Sequence, residues 1–247
     1  MDRVTRHELK QDEFKESLDQ LEQFMAAHLK EIVTVAILAV IVVGSAVGMK
    51  YYLGEQETNA NLDLAAALRT YQAYVGVVAP GSLPAGTESY PTTADRYKAA
   101  LLKFSALVAK YRLYPRPKAV GIALYHAGLC EAFLGNTAAA TNTLQEASRE
   151  GDRNIASLAQ LALADVFLKA GKTPEAEKIY QNLADHPTLT VPRASALLAM
   201  AESLKNAQPA RARQLYDQIR KEYSSEPSVA EILKEEMADQ PQSGGAQ

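Results

Sequence analysis

The longest apolar stretch of the chain lies near its N-terminus. Residues 32–49 (IVTVAILAVIVVGSAVGM) contain no charged side chain, and at about 1.5 Å per residue they nearly span a hydrocarbon core of about 30 Å. Lys50, Tyr51 and Tyr52 follow directly, as expected at a membrane–water interface. The pattern predicts a transmembrane helix over residues 32–53, in contact with the lipid bilayer.

Two other interpretations of this stretch stay open. Gly44-Ser45-Ala46 would serve as the small-residue cleavage site of a signal peptide, although 31 mostly polar residues precede the stretch. A helix buried in a globular core is the other interpretation, although such a helix is rarely apolar on every side.

Residues 1–31 predict a polar amphipathic helix before the membrane. Phe14, Leu18, Leu21 and Met25 are spaced so that they share one face of a helix. This face could lie on the membrane, pair with a copy of itself, dock on a partner, or simply lead into the span. Lys and Arg are more numerous before the span than directly after it, so the positive-inside rule predicts a cytoplasmic N-terminus.

A spacing of 36 residues recurs in the second half of the chain. Three sets of residues follow it, namely Ala140, Ala176 and Ala212; Leu144, Tyr180 and Tyr216; Ala147, Leu183 and Ile219. Gly135 and Gly171 precede the second helix of two copies. The small residues let two helices approach closely, whereas the large ones fill the space between neighbouring helix pairs. The pattern predicts helix pairs stacked into an α-solenoid.

An earlier, degenerate helix pair is predicted at residues 56–78 and 94–112. The loop between them, residues 79–93, is long for a compact domain. A last helix is predicted to begin at Ser228. The helical-repeat domain is therefore predicted over residues 55–238. The tail 239–247 is expected to be disordered because it is rich in Gln, Gly and Ser. The predicted fold class is therefore all-α, with a single N-terminal transmembrane helix followed by an α-solenoid of helix pairs.

Composition and motifs give no support to catalysis or nucleic-acid binding. Lys and Arg number 26 against 29 Asp and Glu, a balance that gives no reason to expect nucleic acid as a partner. No Gly-rich phosphate loop, Cys-x-x-Cys pair or His-Glu-x-x-His sequence occurs. His126 and Cys130 share a helix face, but no further ligand pair supports a metal site. We expect no catalytic, cofactor-binding or metal-binding residue, and a protein that is not an enzyme.

A few residues are candidates for contacts with other molecules. Gly44 and Gly48 are four apart in the span and would permit close packing against another membrane helix, which leaves a homo-oligomer open. Tyr125 is a candidate for partner binding because tyrosines often anchor interfaces. Tyr180 and Tyr216 stand at packing positions of the repeat, so a place in the core is expected for both.

The segment Leu124 to Ala147, with Gly128, Gly135 and Ala140, resembles a tetratricopeptide repeat. The order of parts along the chain is similar to that of the ancillary subunit of the bacterial SecYEG translocon, the YfgM-like family. The residues that carry this second resemblance are Leu21-Glu22-Gln23-Phe24, Lys50-Tyr51-Tyr52-Leu53 and Leu68-x-x-Tyr71-x-x-Tyr74.

The resemblance to that family implies a protein–protein interaction module in the bacterial inner membrane, with its repeat domain in the periplasm. Its partners would be Sec translocon subunits, periplasmic chaperones or exported chains. The alternative is a periplasmic scaffold for cell-division or outer-membrane assembly machinery, where similar repeat domains occur.

Overall fold

The computed structural model describes residues 25–76, 84, 86–113 and 115–224. Most of the amphipathic helix predicted over residues 1–31 lies outside the described residues, as do the helix predicted to open at Ser228 and the tail 239–247. The chain divides into two units, Met1–Glu55 and Gln56–Gln247.

Helix α1 (Leu29–Tyr71) begins in the first unit and contains the apolar stretch. Every residue from Ile32 to Tyr52 is exposed. Within the described part of the chain, α1 is the helix that is long and apolar enough to cross a membrane. A helix of a globular core would instead be mostly buried, so the structure contradicts that interpretation of the stretch.

The second unit contains the rest of α1 and the helices that follow it. These are α2 (Thr93–Lys110), α3 (Lys118–Phe133), α4 (Thr137–Glu150), α5 (Arg153–Lys169), α6 (Thr173–Asp185), α7 (Arg193–Leu204) and α8 (Pro209–Glu222). From α2 onward, each helix packs against the next one along the chain, and α3 also packs against α5. The predicted all-α solenoid of helix pairs is confirmed, with α3/α4, α5/α6 and α7/α8 as its three regular pairs.

Two short strands connect α1 and α2 of the earlier pair. β1 (Tyr74–Val75) pairs in parallel with β2 (Ser89–Tyr90). The helix predicted over residues 56–78 ends at Tyr71 instead, so this part of the prediction is wrong, and β2 lies inside the predicted loop. Directly after β1, Gly76 adopts a φ of +141°, a value that residues with a side chain rarely adopt.

The turns and the core follow the predicted repeat. Gly135 and Gly171 have φ angles of 79° and 74°, as expected for the residue that ends a helix in the left-handed conformation. The nine residues of the three 36-residue sets are all at most 2% exposed. Gly128 lets α3 approach α4, because a Cβ there would lie 2.6 Å from Cγ of Leu144.

Candidate protein-binding face

Helices α3, α5 and α7 are the first helices of the three regular pairs, and each has one row of residues that are partly buried or exposed. The residues of a row are three or four apart, so they lie along one side of their helix. We call the three rows together the open face; it consists of Ile122, Tyr125, Leu129 and Ala132 on α3, Leu158, Leu161, Asp165 and Leu168 on α5, and Ser195, Leu198, Glu202 and Lys205 on α7.

The open face is apolar along α3 and carries carboxylates on the next two helices. Leu129, Asp165 and Glu202 occupy corresponding positions of the three rows, and Asp165 and Glu202 are both exposed. A partly covered apolar surface with a few fixed polar groups is suited to binding polypeptide.

The structure places Tyr125, the partner-binding candidate, on this face. Its side chain is half-buried against the core, and its ring centroid lies 5.1 Å from that of His126. Burial raises the pKa of the Tyr125 hydroxyl, and the nearby charge of Asp165 on α5 raises it further. Tyr125 therefore stays a neutral aromatic group that the charge of Asp165 on the neighbouring helix influences, and its role in binding stays a prediction.

Each carboxylate of the open face accepts a hydrogen bond from a buried tyrosine on the second helix of its pair. The Tyr180 hydroxyl on α6 donates to Oδ1 of Asp165 over 2.8 Å, and the Tyr216 hydroxyl on α8 donates to Oε2 of Glu202 over 3.0 Å. Tyr180 and Tyr216 are at most 1% exposed, as predicted for core residues. Burial raises the pKa of Tyr180, and Asp165 raises it further.

In the first regular pair, two leucines stand at the positions of the tyrosine and the carboxylate. Leu144 stands 36 residues before Tyr180, and Leu129 stands 36 residues before Asp165. The tyrosine and its acceptor are thus replaced together, and no buried hydroxyl is left without an acceptor. Two of the three pairs consequently present a carboxylate on the open face, whereas the first presents Leu129.

A cluster of aromatic rings surrounds His126 where α1, α2 and α3 meet in the second unit. The His126 ring stacks on Phe104, with centroids 5.4 Å apart, and meets Tyr71 edge-on at 4.9 Å. Its Nδ1 is buried and has no hydrogen-bond partner among the described residues. Burial lowers the pKa of His126, so the neutral imidazole is favoured.

Glu88, just before β2, binds three side chains at the earlier helix pair. Oε1 of Glu88 accepts a hydrogen bond from Lys103 on α2 over 2.8 Å, and Oε2 accepts from Thr70 on α1 and from Tyr90 at 3.1 Å. These hydrogen bonds, led by that of Lys103, lower the pKa of Glu88 to about 2. The network fixes the segment before α2 beside a cavity of about 490 Å³ that Arg69 and Gly86 also line.

The remaining candidates from the sequence are not brought into a site. Gly44 and Gly48 lie in the apolar part of α1, and a Cβ at either would meet nothing within 4 Å, so their role in helix packing stays a prediction. Cys130 is fully buried, and its pKa is raised to about 12 by burial. The described residues contain no group of three His, Cys, Asp or Glu side chains that could hold a metal ion.

Asp165 and Glu202 were not singled out from the sequence. The signal that could have found them is the joint change of Leu144 to Tyr180 and Leu129 to Asp165 between consecutive copies, since a buried tyrosine hydroxyl needs an acceptor.

Comparison with known proteins supports the predicted repeat. The family model of the tetratricopeptide repeat matches residues 158–188 and 195–225, which cover most of α5/α6 and of α7/α8. No curated protein and no solved structure gives a significant match. The two matches support a tetratricopeptide-repeat protein, and such repeats indicate a protein–protein interaction module.

Proposed function

We propose that this protein is a membrane-anchored protein-binding module that associates with the Sec translocon of the bacterial inner membrane and receives exported chains or recruits periplasmic chaperones to them. The match of residues 158–188 and 195–225 to tetratricopeptide repeats carries the binding role. The apolar part of α1 supports a single membrane anchor. The partner and the compartment rest on the resemblance to the YfgM-like family and on the positive-inside rule.

In this proposal the N-terminus is cytoplasmic and the repeat domain is periplasmic. The anchor restricts the open face to the membrane surface, which raises its effective concentration near a membrane-bound partner. The fold supports binding rather than catalysis, because helical-repeat solenoids are typically non-catalytic scaffolds with extended binding surfaces.

The test is affinity purification of the tagged full-length protein from membranes in mild detergent, with bound proteins identified by mass spectrometry. A matched variant carries an unrelated membrane anchor in place of residues 1–53. Enrichment of SecYEG subunits or periplasmic chaperones with the wild-type chain is the expected result. Absence of these proteins from the wild-type sample would overturn the translocon proposal.

The same experiment addresses the alternative of a periplasmic scaffold. Tetratricopeptide repeats support a scaffold as well as a translocon subunit, because both are binding roles. Enrichment of cell-division or outer-membrane assembly proteins, in place of translocon subunits, would favour the scaffold.

A further inference from the structure

We infer that the open face recognises polypeptide segments in which a Lys or Arg side chain is flanked by apolar residues, and that Tyr125 and Asp165 form the subsite for the cationic side chain. This inference rests on the proposed binding function and names the chemistry of the partner.

The position of Asp165 favours a cation from outside the chain. Asp165 is exposed, and no Lys, Arg or His of the described chain forms an ion pair with it. Its Oδ1 is held by the Tyr180 hydroxyl, which fixes the carboxylate and leaves Oδ2 for a ligand. A carboxylate that is already oriented loses little side-chain entropy when it binds a cation.

Tyr125 supplies the second element of the subsite. Its ring is half-buried on α3, and α3 packs against α5, the helix that carries Asp165. The charge of Asp165 also contributes to the raised pKa of the Tyr125 hydroxyl. An aromatic ring beside a carboxylate suits a Lys or Arg side chain, because the ring attracts the cation and packs against its aliphatic stem. A ligand carboxylate would be repelled by Asp165 at the same place.

The surroundings of the subsite select the flanking residues. The positions in line with Tyr125 on the next two helices are Leu161 and Leu198, and both are only partly covered. Glu202, held by Tyr216, provides a second, weaker position for a cation, because Lys205 already lies 3.9 Å from its carboxylate. The ligand therefore combines apolar side chains with at least one cationic side chain near its centre.

The experiment measures binding of a short fluorescein-labelled peptide of leucine, alanine and lysine to the full-length protein in uncharged detergent, by fluorescence anisotropy with empty micelles as the blank. Peptides with glutamate or glutamine in place of lysine serve as comparators. The test variant is D165N/E202Q, since the amide oxygens can still accept from Tyr180 and Tyr216. The matched control is E175Q/D217N, which removes two exposed charges from α6 and α8.

We expect the lysine peptide to bind the wild-type protein and the control alike, and the test variant at least about ten-fold more weakly. We also expect the wild-type affinity to fall with added salt. Equal affinity for the lysine and glutamine peptides, or unchanged affinity in D165N/E202Q, would overturn the inference. Neither result would affect co-purification of translocon subunits, so failure of the inference and failure of the proposed function are distinguishable.

Discussion

The Tyr180 hydroxyl donates a 2.8 Å hydrogen bond to Oδ1 of Asp165, and this bond joins the buried side of one helix to the exposed side of its partner. Tyr180 is 1% exposed, whereas Asp165 faces solvent. The same relationship recurs between Tyr216 and Glu202 one repeat later. In α5/α6 and in α7/α8, one tyrosine and one carboxylate therefore contribute both to the packing of the helix pair and to the charge of the open face.

Substitution of Tyr180 by phenylalanine should destabilise the protein modestly. The change removes the hydroxyl but keeps the ring in the core, so we expect a loss of about 1 kcal/mol in the free energy of unfolding, the usual net value of one hydrogen bond. Chemical denaturation of the full-length protein in detergent, followed by circular dichroism, measures it.

Tyr125→Phe is the matched control for this prediction. None of the described residues forms a hydrogen bond with the Tyr125 hydroxyl, so the control should unfold at nearly the wild-type denaturant concentration. Equal unfolding midpoints for Y180F and wild type would show that the hydrogen bond contributes nothing net to folding.

Substitution of Gly128 by alanine should disrupt the contact between α3 and α4. The added Cβ would lie 2.6 Å from Cγ and 2.7 Å from Cδ2 of Leu144, a fully buried side chain. We expect a loss of about 1–3 kcal/mol in the free energy of unfolding, as for other overpacked cores.

A double-mutant cycle tests the cause of the Gly128 effect. If the clash with Leu144 is responsible, G128A/L144A should lose less stability than the sum of the two single variants. Gly54→Ala provides the control, because a Cβ at Gly54 meets nothing within 4 Å and alanine favours a helix. Additive losses in the cycle would contradict the proposed clash.

Stability should fall as the pH decreases below about 6.5, because His126 is held neutral. Its folded pKa is lowered by burial, so the unfolded chain binds a proton first, near the ordinary histidine pKa of about 6.5. The loss continues down to the folded pKa and is absent above 6.5. The denaturant concentration at the unfolding midpoint, compared between pH 7.5 and lower pH, measures this loss of stability.

His126→Phe isolates this contribution from that of other titrating groups. Phenylalanine keeps a ring against Phe104 and Tyr71 and removes the buried Nδ1 that has no partner in the described structure. The fall in stability between pH 7.5 and 5.5 should be smaller in H126F than in the wild type. An identical fall in both proteins would assign the pH dependence to other groups.

The repeat was predictable from the sequence because its signals are local. Ala140, Ala176 and Ala212 alternate with large apolar residues at helical spacing, and Gly135 and Gly171 mark the turns, so each copy carries its own evidence. All of these alanines are fully buried, and both glycines have positive φ.

The features that escaped prediction depend on residues far apart in the sequence. α1 ends at Tyr71, shortly before β1 pairs with Ser89 and Tyr90. The hydrophobic pattern of residues 56–78 does not predict this strand pair, because its partner residues lie outside that segment. The acceptors Asp165 and Glu202 belong to a different helix from their tyrosines, 15 and 14 residues away. The joint change of Leu129 to Asp165 and of Leu144 to Tyr180 between copies is the one sequence signal of this contact, and it becomes a hydrogen bond only when the two helices are placed.

Substitution of Glu88 by glutamine should loosen the strand pair between α1 and α2. Glu88 forms a 2.8 Å ion pair with Lys103, and its lowered pKa of about 2 means that the folded state favours the carboxylate. The stabilisation by the Glu88 carboxylate is fully present above the ordinary glutamate pKa of 4.5 and is lost as the pH falls through about 2. Because the pair is partly exposed, we expect E88Q to lose only about 0.5–1 kcal/mol.

Hydrogen exchange locates the effect of E88Q better than global unfolding does. The Tyr74 amide donates to the Glu88 carbonyl, and the Gly76 amide donates to the Tyr90 carbonyl, so both amides report on the strand pair. Exchange at these two amides should accelerate in E88Q and stay unchanged in D63N, which removes the Lys110–Asp63 ion pair elsewhere between α1 and α2. Equal acceleration in both variants would mean that the helix pair opens as a whole, and that Glu88 does not act locally on the strands.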